Sequence, residues 1–146
     1  MSHPSKGKIE DEAKNLLQVF LQKGDDLKAK ERTKIPSQVM PNQDPLIRRY
    51  NLEEVALGFT KEQAQLEAMR CLQCIKKNCV LDCPVNINIP GFINYIAHGN
   101  FEAAIKIVKE TTLLPAICGR VCPQESQCQL HCAVGKALKD VDQSVA

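Results

Sequence analysis

The sequence predicts an all-α fold of short helices joined by many loops. Three observations carry this expectation. No stretch alternates polar and apolar residues over any length, as a half-buried strand would. Apolar residues instead recur at helical spacing in several short segments. Helix start and stop residues punctuate the chain: Thr60 three before Gln63, Pro90 and Pro115 at first-turn positions, and Gly58, Gly99 and Gly135 at stops.

Taken in order, Ile9, Ala13, Leu16, Leu17, Phe20 and Leu21 form one stripe, with acids early and Lys23-Gly24 at the end. This predicts an amphipathic helix over 9–23 that must dock on something. Asp25 to Tyr50 is charged and broken by Pro36, Pro41 and Pro45, and it reads as an extended, solvated linker. The chain is therefore expected to divide into residues 1–50, an N-terminal helix with a Pro-containing linker, and residues 51–146, a helical cysteine-bearing domain. Leu52 to Ala56 is expected to form a short helical turn closed by Gly58. The Thr60–Gln63 capping box opens a helix from Lys61 that delivers Cys71 and Cys74 at its C-terminal end. Pro90 and Gly99 bracket the next helix. Asn100 caps another, running to about Glu110, with Phe101, Ala104, Ile105 and Val108 on one face. Pro115 opens a turn into Cys118, and Ser126 to Ala133 is expected to be one more short helix.

The composition excludes several functions. Net charge is +2, too weak to argue for nucleic acid or an anionic membrane. Aromatics are 4% of the chain and Trp is absent, so a core must rest on Leu, Ile, Val and Ala. The start, MSHPSKGKIEDEAKN, has no apolar stretch or small-residue cleavage site, and no run has the length of a membrane span. The expected compartment is the cytosol, where thiols stay reduced. No Ser/His/Asp grouping, paired catalytic carboxylates or phosphate loop stands out. Glu53, Glu54, Glu62 and Glu67 read as helix-surface acids, which argues against independent catalysis.

The eight cysteines are the outlier, and all fall between residues 71 and 132. The first block reads C-x2-C-x4-C-x3-C-P and the second C-x3-C-P-x5-C-x3-C. Disulfides would need an oxidising compartment. Structural zinc usually takes two close C-x2-4-C pairs, and only Cys71 and Cys74 form the common knuckle. A zinc-stabilised interaction domain without a redox role is the contrasting reading. Cubane iron–sulfur clusters fit best: they take four thiolates, often from a compact C-x2-C run with a further cysteine before proline. Cys83-Pro84 and Cys122-Pro123 both have that form. In two-cluster ferredoxins the cysteine before proline serves the other cluster. The same logic assigns Cys71, Cys74 and Cys79 to one cluster and sends Cys83 to a second.

RCLQC, DCPVNINIPGFINYI, the helix beginning NFEAA, and LLPAICGRVCPQESQC with its further Cys132 together resemble the N-terminal iron–sulfur domain of the glutamate synthase small subunit. The same domain occurs in dihydropyrimidine dehydrogenase and in the large subunit of NADH-dependent ferredoxin:NADP oxidoreductase. The resemblance runs from about Asn51 to Lys139. It implies an α-helical ferredoxin-like domain around two [4Fe–4S] clusters that relays electrons between a flavin and a redox partner. It implies Cys71, Cys74, Cys79 and Cys132 as ligands of cluster one, and Cys83, Cys122 and Cys128 as ligands of cluster two. The fourth ligand of cluster two is a Gln or Glu downstream of the last cysteine in some relatives, a position expected beyond Ala146. Cys118 is the available thiol here; it is either that ligand or a packed, non-ligating cysteine. In these relatives the chain continues into FAD- and NAD(P)H-binding domains, with a large or partner redox subunit beyond. Nothing here matches G-x-G-x-x-G after a strand, so those parts are expected outside this chain.

Two such clusters, each of net charge about −2, would make nearby cations matter, because a cation raises the reduction potential. Lys76, Lys77 and Arg120 lie inside the cysteine blocks. The lysine pair reads as a solvated run, and Arg120 as a local structural or partner-facing residue. Gly119 is expected in a tight loop, His131 at the surface or near a cluster, and His98 at a helix C-terminus.

Overall fold

The computed structural model describes residues 6–23 and 27–146. Gly24, and residues 1–5 of the start read above for a leader, lie outside the described residues. Nine α-helices and two 3-10 turns make up the described chain, and the one β feature among these residues is an isolated antiparallel bridge between Asn42 and Ala56. None of the described helices is long and apolar enough to cross a membrane.

Helix α1 spans Lys6–Leu21. Its predicted stripe is the buried face: Ala13, Leu17 and Phe20 are in the core, whereas Leu21 is half exposed. The face docks on α4, Lys61–Met69, which is the centre of the molecule. Thr60 Oγ1 accepts from the Gln63 amide and Gln63 Oε1 accepts from the Thr60 amide, at 3.2 and 3.1 Å, closing the capping box. On its other side α4 meets α6, Ile89–Ala97, which in turn packs on α7, Phe101–Lys109. Asn88 and Asn100 cap these two helices through their side chains. Gly99, at φ +73°, turns the chain between them, a backbone region that costs glycine little.

The Pro-containing segment is not a solvated linker. Leu27 and Ile35 are buried with Leu17, Phe20, Leu66 and Met69 in one apolar cluster. The segment holds two one-turn helices, α2, Ala29–Arg32, and α3, Pro45–Arg48. Past Ile35 its backbone runs beside α4: the Gln38 amide donates to Glu67 Oε2 at 2.9 Å, and Gln63 Nε2 donates to the Val39 carbonyl at 3.1 Å. These bonds correct the reading of Glu67 as a surface acid; it is 2% exposed. Residues 52–56 do not form the expected helical turn. They run extended, with Gln43 N bonded to the Val55 carbonyl and Leu57 N to the Pro41 carbonyl, both at 2.8 Å.

The C-terminal third also departs from expectation. No α-helix covers Ser126 to Ala133; a 3-10 turn at Gln124–Ser126 and further turns carry the chain to Cys132. A helix, α9, then spans Ala133–Leu138 and contains Gly135 instead of stopping at it. The stop is Lys139, at φ +57°. Gly119 lies within another short helix, α8, Pro115–Val121, not in a tight loop.

Candidate metal centre

Local structure places each cysteine. Helix α4 ends at Met69, and the Cys71 amide still bonds back to the Ala68 carbonyl at 3.1 Å. Gln73 then takes a left-handed conformation, φ 49°, reversing the chain between Cys71 and Cys74. Its side chain donates to the Pro90 carbonyl at 3.1 Å and lies 3.5 Å from Cys71 Sγ, as a donor to sulfur. Cys79 sits on the one-turn helix α5, Asn78–Leu81. After Cys83 and its proline, the Asn86 amide bonds to the Cys83 carbonyl at 2.9 Å, turning the chain toward α6. In the second block Cys118 and Cys122 stand one turn apart, with the Cys122 amide on the Cys118 carbonyl at 3.0 Å. Cys132 is the N-cap residue of α9.

All eight cysteines are free thiols of intermediate exposure. A cavity of about 80 Å³ is lined by Cys71, Cys74, Cys79, Cys128 and Cys132, with Val145 and Pro90 among the apolar residues that close it. Cys132 has thus come from the second block to the first. Cys83, Cys118 and Cys122 do not line this cavity.

Electrostatic neighbours group the thiols similarly, except that Cys128 falls chiefly with Cys122 and Cys83. Burial pushes the Cys79 thiol up to about 11, and negative charge on Cys71, Cys132 or Cys74 acts in the same direction. Cys71 is raised first by burial and also by Cys132 and Cys74. Cys122 is raised by its partial burial and then by Cys83 and Cys118. Cys128, up to about 11 through burial, is raised further by Cys122 and Cys83 and, more weakly, by Cys79. Each neighbourhood therefore mixes the two sequence blocks: Cys71, Cys74, Cys79 and Cys132 in one; Cys83, Cys118, Cys122 and Cys128 in the other. Cys128 lies between them.

Such thiols suit iron–sulfur chemistry. Among the described residues no three His, Cys, Asp or Glu side chains close around a single ion. A cubane asks for something wider, because each thiolate binds a different iron. Cys118 also lies 3.6 Å from Thr112 Oγ1, and the Cys122 thiol donates to Gln127 Oε1 at 3.3 Å.

The charged residues around the thiols sort clearly. Lys76 and Lys77 are exposed, as expected. Arg120 is held in a bidentate pair with Glu54 and also donates to the Ala116 carbonyl at 2.8 Å, a local structural role. Glu54 is thereby held below the usual carboxylate range. His131 is exposed and lies 2.9 Å from Asp82 Oδ2, and His98 is the C-cap of α6.

Two features escaped the sequence reading. Buried Arg70 pairs with Glu67 and donates to the Ser144 and Gln143 carbonyls, while the Ala146 amide donates to Glu67 Oε1 at 3.0 Å. The last residues are thus strapped beside the cysteine that follows Arg70. Arg32, from the supposed linker, donates to the carbonyls of Met69 and Cys71 at 3.0 and 3.2 Å. Both depend on contacts across dozens of residues, and no local signal marks them.

A small all-α domain carrying two mixed groups of thiols defines a class: the helical iron–sulfur domains. The chain belongs to the family described as dihydropyrimidine dehydrogenase domain II, 4Fe-4S cluster, whose model matches residues 48–145. It is 36% identical over 99 residues to the glutamate synthase [NADPH] small chain of Azospirillum brasilense, a match covering 67% of this chain and 20% of that protein. It is 40% identical over 88 residues to the putative oxidoreductase AegA of Escherichia coli, covering 60% of this chain and 13% of AegA. It is 40% identical over 81 residues to the NAD-dependent dihydropyrimidine dehydrogenase subunit PreT of the same organism, covering 56% of this chain and 20% of PreT. The chain therefore spans a fifth or less of these relatives.

Proposed function

We propose that this chain is an electron-transfer module holding two [4Fe–4S] clusters. It would pass single electrons between a flavin and a second redox partner, as part of an NADPH-dependent glutamate synthase small subunit or a close homologue. The observation that carries the reading is the mixing of the two cysteine blocks. Cys132 shares a cavity with Cys71, Cys74 and Cys79, and Cys83 is among the electrostatic neighbours of Cys122 and Cys128. These groupings support the sets expected for cluster one and cluster two, although Cys128 also lines the first cavity, and Cys118 is near enough to Cys122 to serve as a fourth ligand of the latter.

When bound, the clusters supply one-electron chemistry. The chain supplies the rest. Seven thiols would give up their protons to bind iron, with Cys118 the candidate eighth. Pro90 and Val145 keep the first cavity apolar, and the Gln73 amide offers a hydrogen bond to Cys71 sulfur, a contact that favours the more negative, reduced state. FAD and NADPH would bind in separate domains, and the compartment consistent with eight reduced thiols is the cytosol. Residues 51–146 would be the cluster domain, with residues 1–50 as its N-terminal helix and docked connecting segment.

Metal analysis of anaerobically purified protein tests the reading. About eight irons and eight sulfides per chain, with a broad absorption near ~400 nm, are expected. Colourless protein with two tightly bound zinc ions would overturn it in favour of an interaction domain. Cys118→Ala decides the fourth ligand: loss of about four irons makes it a ligand, and unchanged iron with an unchanged EPR spectrum makes it a packed thiol.

A further inference from the structure

The second feature missed by the sequence, Arg32, carries an inference that rests on the reading of Cys71 as a cluster ligand. Arg32 closes α2, between the buried anchors Leu27 and Ile35. Its Nε donates to the Leu27 carbonyl at 3.1 Å, and its Nη1 reaches the carbonyls of Met69 and Cys71. All three acceptors are neutral. Four other cations meet carboxylates: Arg70 pairs with Glu67, Arg120 with Glu54, Lys106 with Glu102 and Lys23 with Glu31. Among the described residues no carboxylate pairs with Arg32. A guanidinium carries a positive charge at any ordinary pH. A positive charge is thus fastened by hydrogen bonds to the backbone of the residue whose sulfur lines the first thiol cavity.

We propose that Arg32 is the counter-charge of the cluster held by Cys71 and raises its reduction potential. A four-thiolate cluster of net charge about −2 gains a further negative charge on reduction, and a fixed cation beside it stabilises the added electron. Lys76 and Lys77 serve this role poorly, because solvent and salt screen exposed charges. Arg32 lies outside residues 48–145, the part that matches the family model, so this control comes from the N-terminal segment.

The test is EPR-monitored redox titration of the full chain, anaerobically purified, with iron content measured alongside. Arg32→Gln is expected to keep its iron and to shift the reduction equilibrium of one cluster about tenfold toward the oxidised form, about 59 mV for a one-electron couple. The other cluster should not move. Arg32→Lys keeps the charge and should shift the equilibrium less than about threefold. Full iron with both potentials unmoved in Arg32→Gln overturns the proposal. If Arg32→Gln loses iron, Arg32→Lys decides. Retained iron and a near-native potential support the charge role; lost iron, or a potential shifted tenfold, makes Arg32 an anchor only and overturns it. Absence of iron–sulfur clusters from the unsubstituted protein would instead remove the underlying reading, before any variant is made.

Discussion

Gly135, on the helix that Cys132 caps, packs closely against the C-terminal residues. A Cβ there would lie 2.4 Å from Ser144 Oγ and 3.0 Å from the Asp140 carbonyl oxygen. Gly135→Ala should cost about 1–3 kcal/mol through overpacking, read as a lower melting temperature of the iron-loaded chain. Adding Ser144→Ala should restore part of it, since the clash with the Asp140 backbone remains; an unchanged melting temperature for Gly135→Ala would contradict the packing. The thiols make a pH prediction. Cys79 and Cys128 are pushed up to about 11, so their thiolate fraction is small at neutral pH and grows about tenfold per unit below that value. Iron incorporation in anaerobic reconstitution should therefore increase between about pH 7 and pH 9, and acid should release the metal. Loading that does not vary with pH would show these protons are not the barrier. Little of this was legible beforehand. Glu67 read as a surface acid because nothing near it in sequence reveals that Gln38 and Ala146 return to it.

The elements divide by what determines them. Helices set by local chemistry were legible: the Thr60–Gln63 box, Asn100 as an N-cap, and Pro90 and Pro115 in first turns all stand where expected. Thr60→Ala should cost about 1 kcal/mol, with the loss confined to α4 and the contacts it organises. Segments set by distant packing were not legible. The Pro-containing stretch has few apolar residues, but two of them, Leu27 and Ile35, are buried and tie it to α1 and α4. Ile35→Ala should cost about 2–5 kcal/mol by chemical denaturation, whereas an ordinary exposed-linker substitution stays within about 0.5 kcal/mol. Residues 126–133 carry helical spacing, yet a 3-10 turn and further turns carry the chain to Cys132, and the helix begins only at Ala133.

At the scale of the whole molecule, the apolar core is lopsided. The main buried cluster joins α1, the docked segment and α4. After Cys71 the buried apolar side chains are Pro90, Ile93, Ala104 and Val134, while Leu113, Ile117 and Val121 remain exposed. A half-molecule with so thin a core needs another source of folding energy, which bound metal supplies in small domains. Removing iron with a chelator should abolish cooperative melting of this half; retained cooperative melting would count against metal as its scaffold. The proposed ligand sets would also explain why the two blocks are interleaved, since exchange of Cys83 and Cys132 would fasten one block to the other. The central claim is that exchange, and EPR of reduced single-cysteine variants tests it most directly. Cys74→Ser and Cys132→Ser should abolish or perturb the same cluster signal, and Cys83→Ser should spare that signal and alter the other. If Cys83→Ser and Cys74→Ser strike the same cluster while Cys132→Ser spares it, each block closes its own site and the exchange does not occur.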